Sequence, residues 1–172
     1  AEYEIGDDFV ILTSKDITLP ATIFTMGYSQ NRKDDEAVGT FGEGVLVAMV
    51  PLLREGKGLH FINGDVIWKP VFEFNEALDI EVLVINEEPN PYPTNNYCVA
   101  IDNLTPDEIQ EIRESCVYFR DDLGEVLDGH IGQVIKGIQG KLFVGGIFVC
   151  SIPKHVFSYN FKSKYLPLNR DR

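Results

Sequence analysis

Glycines at positions 39, 42 and 44, in the run Gly39-Thr40-Phe41-Gly42-Glu43-Gly44, leave the backbone bare where a bulky anion would have to approach it. An apolar segment at helical spacing follows at once, and the free N–H groups that open a helix point toward an anion. The chemistry this pattern supports is phosphate binding. A glycine turn that merely leads into a core helix is the bland alternative for the same residues. The run is not a dinucleotide fingerprint, because no strand directly precedes it, and not a Walker loop, which needs Gly-Lys-Ser/Thr.

The elements that must position this loop are legible around it. Val45, Leu46, Ala48, Met49, Leu52 and Leu53 recur at three- and four-residue spacing, which predicts a buried helix ending near Arg54 with Gly56 as its C-cap. Pro51 removes one backbone hydrogen bond and predicts a kink. Upstream, Phe9-Val10-Ile11-Leu12 suits a buried strand, and Ile17 to Met26 a short helix after Pro20. Between Gly27 and Thr40 the chain is polar and charged, with nothing to bury, so 27–38 reads as an exposed lid.

Downstream, Leu59-His60-Phe61-Ile62, the pair Asn63-Gly64 and the run Val66 to Phe74 predict a hairpin on a type I′ turn. Ile80 to Ile85 and Tyr97 to Ile101 add strands across a proline-rich loop, Glu87 to Asn96. Thr105-Pro106-Asp107-Glu108 carries an N-cap, a proline at the first helical position and a capping-box acid, predicting a helix to about Val117. Gln139-Gly140 separates Val134-Ile138 from Leu142-Val149 as a further hairpin. The expected fold class is α+β: a layered sandwich with a mixed, mostly antiparallel sheet and helices on one face, in a single domain over 1–172.

Composition narrows the function classes. A net charge of −12 opposes nucleic acid, and the one basic stretch, Lys154 to Arg172, reads as a solvated end segment. The aromatic alternation Phe157, Tyr159, Phe161 within it is what one face of an edge strand gives. No apolar run is long enough to cross a bilayer, and the acidic start is unlike a signal peptide, so a cytoplasmic protein is expected. Cys98, Cys116 and Cys150 are too scattered for a disulfide framework or a metal knuckle. His60, His130 and His155 lack neighbours at metal-ligand spacing, so no metal site is assigned, and His60 is expected half-exposed on a strand.

A strand at Phe9 to Leu12, then Gly27-Tyr28-Ser29 opening a polar lid, then the Gly39–Gly44 run with its helix, resembles the GHKL ATPase superfamily of gyrases, heat-shock chaperones, histidine kinases and mismatch-repair ATPases. The ending Tyr159-Asn160-Phe161 and Leu168-Asn169-Arg170-Asp171-Arg172 looks like that of bacterial and phage members. The resemblance implies a Bergerat-like ATP-binding fold, with the nucleotide between lid and sheet. Gly39, Thr40, Phe41, Gly42, Glu43 and Gly44 would then wrap the phosphates. Gly27, Ser29 and Lys33 would close from the lid, and Arg170 is a second candidate cation. Another domain or protomer contacting the lid is the implied partner.

The sequence also departs from that family. The Asp-x-Gly-x-Gly turn, whose Asp accepts from the adenine amino group, should follow Leu12, where Thr13-Ser14-Lys15-Asp16-Ile17 stands. Asp16 is the nearest carboxylate. The family's helix with a Mg²⁺-binding Asn and a water-activating Glu would lie ahead of the first strand and has no counterpart here, so no catalytic residue is assigned. Two expectations follow: a piece of a longer ATPase, whose Mg²⁺ ligands lie upstream, or a degenerate interaction module that no longer binds nucleotide.

Overall fold

Alternation of apolar and polar residues in short runs separated by turn formers builds a strand-rich chain, and the computed structural model describes residues 2–25 and 44–166 of it. Contacts divide these into two units, 2–25 with 44–109 and then 110–166. The observed class is α+β, with two mostly antiparallel sheets and two α-helices among the described residues.

The first unit is a six-stranded antiparallel sheet of β1 (Glu2–Ile5), β2 (Val10–Ser14), β3 (Gly58–Asn63), β4 (Val66–Asn75), β5 (Ile80–Pro89) and β6 (Tyr97–Asp102). Their spatial order is β1-β2-β6-β3-β4-β5. One face receives α1 (Gly44–Arg54). Met49 at 0% exposure joins Leu59, Phe61 and Trp68 in the core, with Leu46, Leu52, Leu53, Val99 and Ile101 packed around them. Burying side chains of this size stabilises the unit by roughly 1.5–3 kcal/mol each. The helix is one-sided rather than wholly buried: Val45 and Val47 are exposed, because only one stripe of a helix can face a sheet.

Helix α1 ends as its sequence predicts. Lys57 N–H donates to the Leu52 carbonyl and Gly56 N–H to that of Leu53, with Gly56 at φ +75°, which is a Schellman cap. The stretch after Pro20 is a single 3-10 turn, Ala21–Phe24. It sets the Phe24 ring edge-on to Phe61 at 5.1 Å and Trp68 at 5.2 Å.

The β3–β4 hairpin forms, but its turn residues are shifted. Asn63 pairs with Val66 inside the ladder, so the turn is Gly64-Asp65. Gly64 has φ +65° and Asp65 is not left-handed, the pattern of a type II′ rather than a type I′ turn. Strand β5 also runs on to Pro89, into the stretch expected as loop, because Glu87 and Glu88 pair with Trp68 and Ile67.

Helix α2 (Pro106–Ser115) carries the expected capping box, and the division between the units falls within it. The second unit is a five-stranded sheet of β7 (Val126–Asp128), β8 (Gly132–Ile135), β9 (Lys141–Val144), β10 (Ile147–Ser151) and β11 (Ser158–Phe161), ordered β10-β9-β11-β8-β7. Here the sequence expectation is corrected. Strands β8 and β9 do not form a hairpin, because β11 lies between them, antiparallel to β8 and parallel to β9. Strand β9 instead turns through Gly145-Gly146, both at positive φ, into β10. The core of this unit is Val117, Ile135, Ile138 and Phe143.

Candidate functional site

Of the residues expected to bind nucleotide, Gly44 and Asp16 fall within the described structure, and both belong to the first unit. Gly27, Ser29, Lys33, Gly39, Thr40, Phe41, Gly42, Glu43 and Arg170, together with the lid 27–38, lie outside the described residues. Gly44 is the first residue of α1, and no acidic side chain occupies that helix's first turn. No described atom lies within 4 Å of where a Cβ on Gly44 would sit. Buried Met49 fixes the helix, and with it the exit of the glycine run, to the sheet.

Asp16 follows the end of β2 in a tight turn at φ +53°, and its backbone N–H donates to Asn96 Oδ1 at 3.2 Å. With Ile17, Thr18 and Asn95 it lines an open concavity of about 270 Å³. That is near the lower end of the roughly 300–1,000 Å³ typical of small-molecule sites, room for part of a nucleotide rather than the whole. The neighbouring Lys15 is occupied at the surface by Glu2 at 2.5 Å, and that hydrogen bond raises the Lys15 pKa.

Sequence reading missed the asparagines that build this corner. Asn63, buried, accepts from Leu19 N–H at 2.7 Å and donates to the Leu19 carbonyl at 3.0 Å, clamping the segment after Asp16 to the end of β3. Buried Asn90 donates to the Gly64 carbonyl at 3.0 Å, and Gly64 N–H donates to that of Asn96 at 3.2 Å. The signal was present in the number of asparagines near positions 63 and 90–96, which local pattern assigns to turns without saying what they bridge.

His60 is half-buried on β3 as expected, with Nε2 3.0 Å from Asp102 Oδ2. Among the described residues no group of three or more His, Cys, Asp or Glu is placed to hold a metal ion. No helix among them is long and apolar enough to cross a membrane. In the second unit, Tyr118, Asp128, Gln133, Asn160 and Lys162 help line a cavity of about 420 Å³. Three of its polar side chains form a linear relay. Asn160 accepts from Gly146 N–H and donates to Gln133, which donates to Asp128, leaving no buried polar atom of the relay unsatisfied.

No family model, curated protein or solved structure matches this chain.

Proposed function

We propose that this chain is a GHKL-like ATP-binding domain in which the nucleotide phosphates sit on the Gly39–Gly44 loop and order the polar lid, 27–38. The observation that supports it is the start of α1 at Gly44: a helix with a Schellman C-cap, fixed by Met49, with no acid in its first turn and no described atom within 4 Å of a Cβ at Gly44, directly after a glycine-rich run. The concavity at Asp16 supports a base-proximal role for that carboxylate. One helix layered on a mostly antiparallel sheet is compatible with a Bergerat-like arrangement.

In this reading Gly39, Thr40, Phe41, Gly42 and Gly44 present backbone N–H groups to the phosphates, and Ser29, Lys33 and Arg170 add side-chain donors. The family's Mg²⁺-binding Asn and water-activating Glu have no matched position in the sequence, so Mg²⁺ enters as the counter-ion of ATP and no hydrolytic step is derived. Lid ordering is the output, read by another domain or protomer. The setting is the cytoplasm, where Mg·ATP is available.

At about a hundredfold excess over Kd, Mg·ATP would stabilise the fold by about 2.7 kcal/mol. Thermal unfolding would then shift upward by roughly 5 °C or more. Gly42→Val fills the phosphate space and removes the shift. No shift at millimolar Mg·ATP in the full chain overturns the proposal.

One observation favours a second reading, a degenerate interaction module. Thr13 stands where the family's adenine-binding Asp is expected, and its hydroxyl donates to Cys98 Sγ at 3.5 Å within the sheet. That reading predicts unchanged hydrogen exchange in 27–38 when ATP is added.

A further inference from the structure

Residues 63 and 64 answer two separate structural demands. Position 63 has to satisfy both the N–H and the carbonyl of Leu19, which takes an acceptor and a donor on one short side chain, and the amide of asparagine carries both. Position 64 turns β3 into β4 at φ +65°, where a Cβ would also stand 3.2 Å from Thr18 Cγ2, so glycine fills it. The result is Asn63-Gly64, the one Asn-Gly pair in the sequence.

That pair carries a reaction of its own. In an unconstrained chain the glycine nitrogen, once it loses its proton to a solvent base, attacks the asparagine Cγ, and no side chain on the glycine stands in the way. A C–N bond forms, the bond from Cγ to the amide nitrogen breaks, and that nitrogen leaves as ammonia with a proton from water. Water then opens the five-membered imide at one of its two carbonyls. One opening leaves aspartate; the other leaves isoaspartate, whose main chain runs through Cβ and is one methylene longer.

The fold withholds what this reaction needs. Asn63 is 7% exposed, and both ends of its amide are held by Leu19. Its main chain is fixed between Val66 on β4 and Tyr97 on β6. The Gly64 N–H donates to the Asn96 carbonyl at 3.2 Å, while the Gly64 carbonyl accepts from Thr94 N–H at 3.1 Å and from Asn90 Nδ2 at 3.0 Å. The bond on the attacking nitrogen is thus the longest of the three at Gly64.

The cover over Asn63 is the part built to open. It is the segment 17–25, whose 3-10 turn, Ala21–Phe24, has no buried residue and is anchored by the Phe24 ring against Phe61 and Trp68. Segments with few buried contacts open at a fraction of the global free energy.

We propose that Asn63-Gly64 is a self-modification site guarded by the Leu19 clamp: lifting of 17–25 exposes the pair to cyclisation, and the product holds the segment open. Aspartate at 63 has no donor for the Leu19 carbonyl. Isoaspartate lengthens the end of β3 and breaks its register with Val66 and Tyr97. Loss of ammonia makes the step one-way. The site does not depend on the nucleotide reading.

The test incubates the full folded chain in mildly alkaline buffer beside a blocked peptide of residues 60–67, and follows Asn63 by peptide mass spectrometry. Asn63 converts at least about a hundredfold more slowly in the folded chain than in the peptide, and at about the peptide's rate in urea. Phe24→Ala raises Asn63 conversion and hydrogen exchange of the Leu19 amide by the same factor, about tenfold or more, because one opening permits both. Ile135→Val, in the core of the second unit, changes neither. The converted chain, separated from its parent, exchanges the Leu19 amide at least about tenfold faster. The proposal is overturned if the folded chain converts as fast as the peptide, if Phe24→Ala speeds Leu19 exchange but not conversion, or if the converted chain keeps its Leu19 protection.

Discussion

The side-chain amide of Asn63 satisfies both backbone groups of Leu19, accepting from its N–H at 2.7 Å and donating to its carbonyl at 3.0 Å, across 44 residues of sequence. The residue that local pattern assigns to a turn is thus a strand-end clamp. It ties the connection between Asp16 and the core aromatic Phe24 to the central sheet.

Replacing that clamp tests its role. Asn63→Ala leaves the two Leu19 groups without their partner and should cost about 1–3 kcal/mol in urea unfolding. Asn63→Asp should be at least as harmful, since a carboxylate presents acceptors only to the Leu19 carbonyl. Amide exchange should rise first in 17–25. An unchanged unfolding midpoint in both variants would remove the clamp from the account.

The cap of α2 makes stability depend on acid. Glu108 Oε2 accepts from Lys57 Nζ at 2.6 Å, from Thr105 N–H at 2.7 Å and from its hydroxyl at 2.9 Å. The Lys57 bond is foremost in holding the carboxyl at about 2. The folded value lies below the unfolded value of about 4.3, so this contribution is complete above about pH 4.3. It is lost as pH falls toward 2. Glu108→Gln should flatten the stability curve over that window, and Lys57→Ala should raise the Glu108 pKa in a carboxyl NMR titration. Thr105→Ala should cost about 1 kcal/mol at neutral pH.

Met49 is wholly enclosed and packs with Leu59, Phe61 and Trp68 in the core. Met49→Ala should cost about 2–5 kcal/mol. If α1 positions the phosphate loop, the same variant should also reduce the Mg·ATP-induced thermal shift. A destabilised variant with the full shift would separate the helix from the loop's function.

In the second unit, Gly132 has no room for a side chain: a Cβ would stand 2.3 Å from the Asn160 carbonyl oxygen and 2.8 Å from Phe161 Cα. Gly132→Ala should force β8 away from β11 and cost about 1–3 kcal/mol. Loss of the Asn160–Gln133 bond, followed through the Asn160 side-chain amide signals in NMR, should accompany it. A variant as stable as the parent, with those signals in place, would contradict the packing described.

Several elements were legible because their causes lie within a few residues. Thr105, Pro106 and Glu108 set the start of α2, and Gly56 with Lys57 ended α1 where the apolar stripe stopped. The β3–β4 hairpin was legible too, although its turn moved by one residue because Asn63 pairs within the ladder and spends its side chain on Leu19. The hairpin expected between β8 and β9 failed for a different reason. Gln139-Gly140 does turn the chain, but a turn signal does not say which strand fills the adjacent ladder. Of the candidate site, the sequence named the glycine run and Asp16, while the asparagines that hold the Asp16 corner had no local signature.

Sequence alone determined the start of α2, the C-terminal end of α1, the alternating strands, the acidic charge and the glycine run before α1, since propensity, capping and charge act over a turn or two of chain. Only the tertiary structure decided that β11 separates β8 from β9, that Asn63 reaches back to Leu19, and that β5 lies at the edge of its sheet. Those features join residues tens of positions apart, where backbone pairing and burial of the whole ensemble of strands, not any neighbouring residue, select the partner.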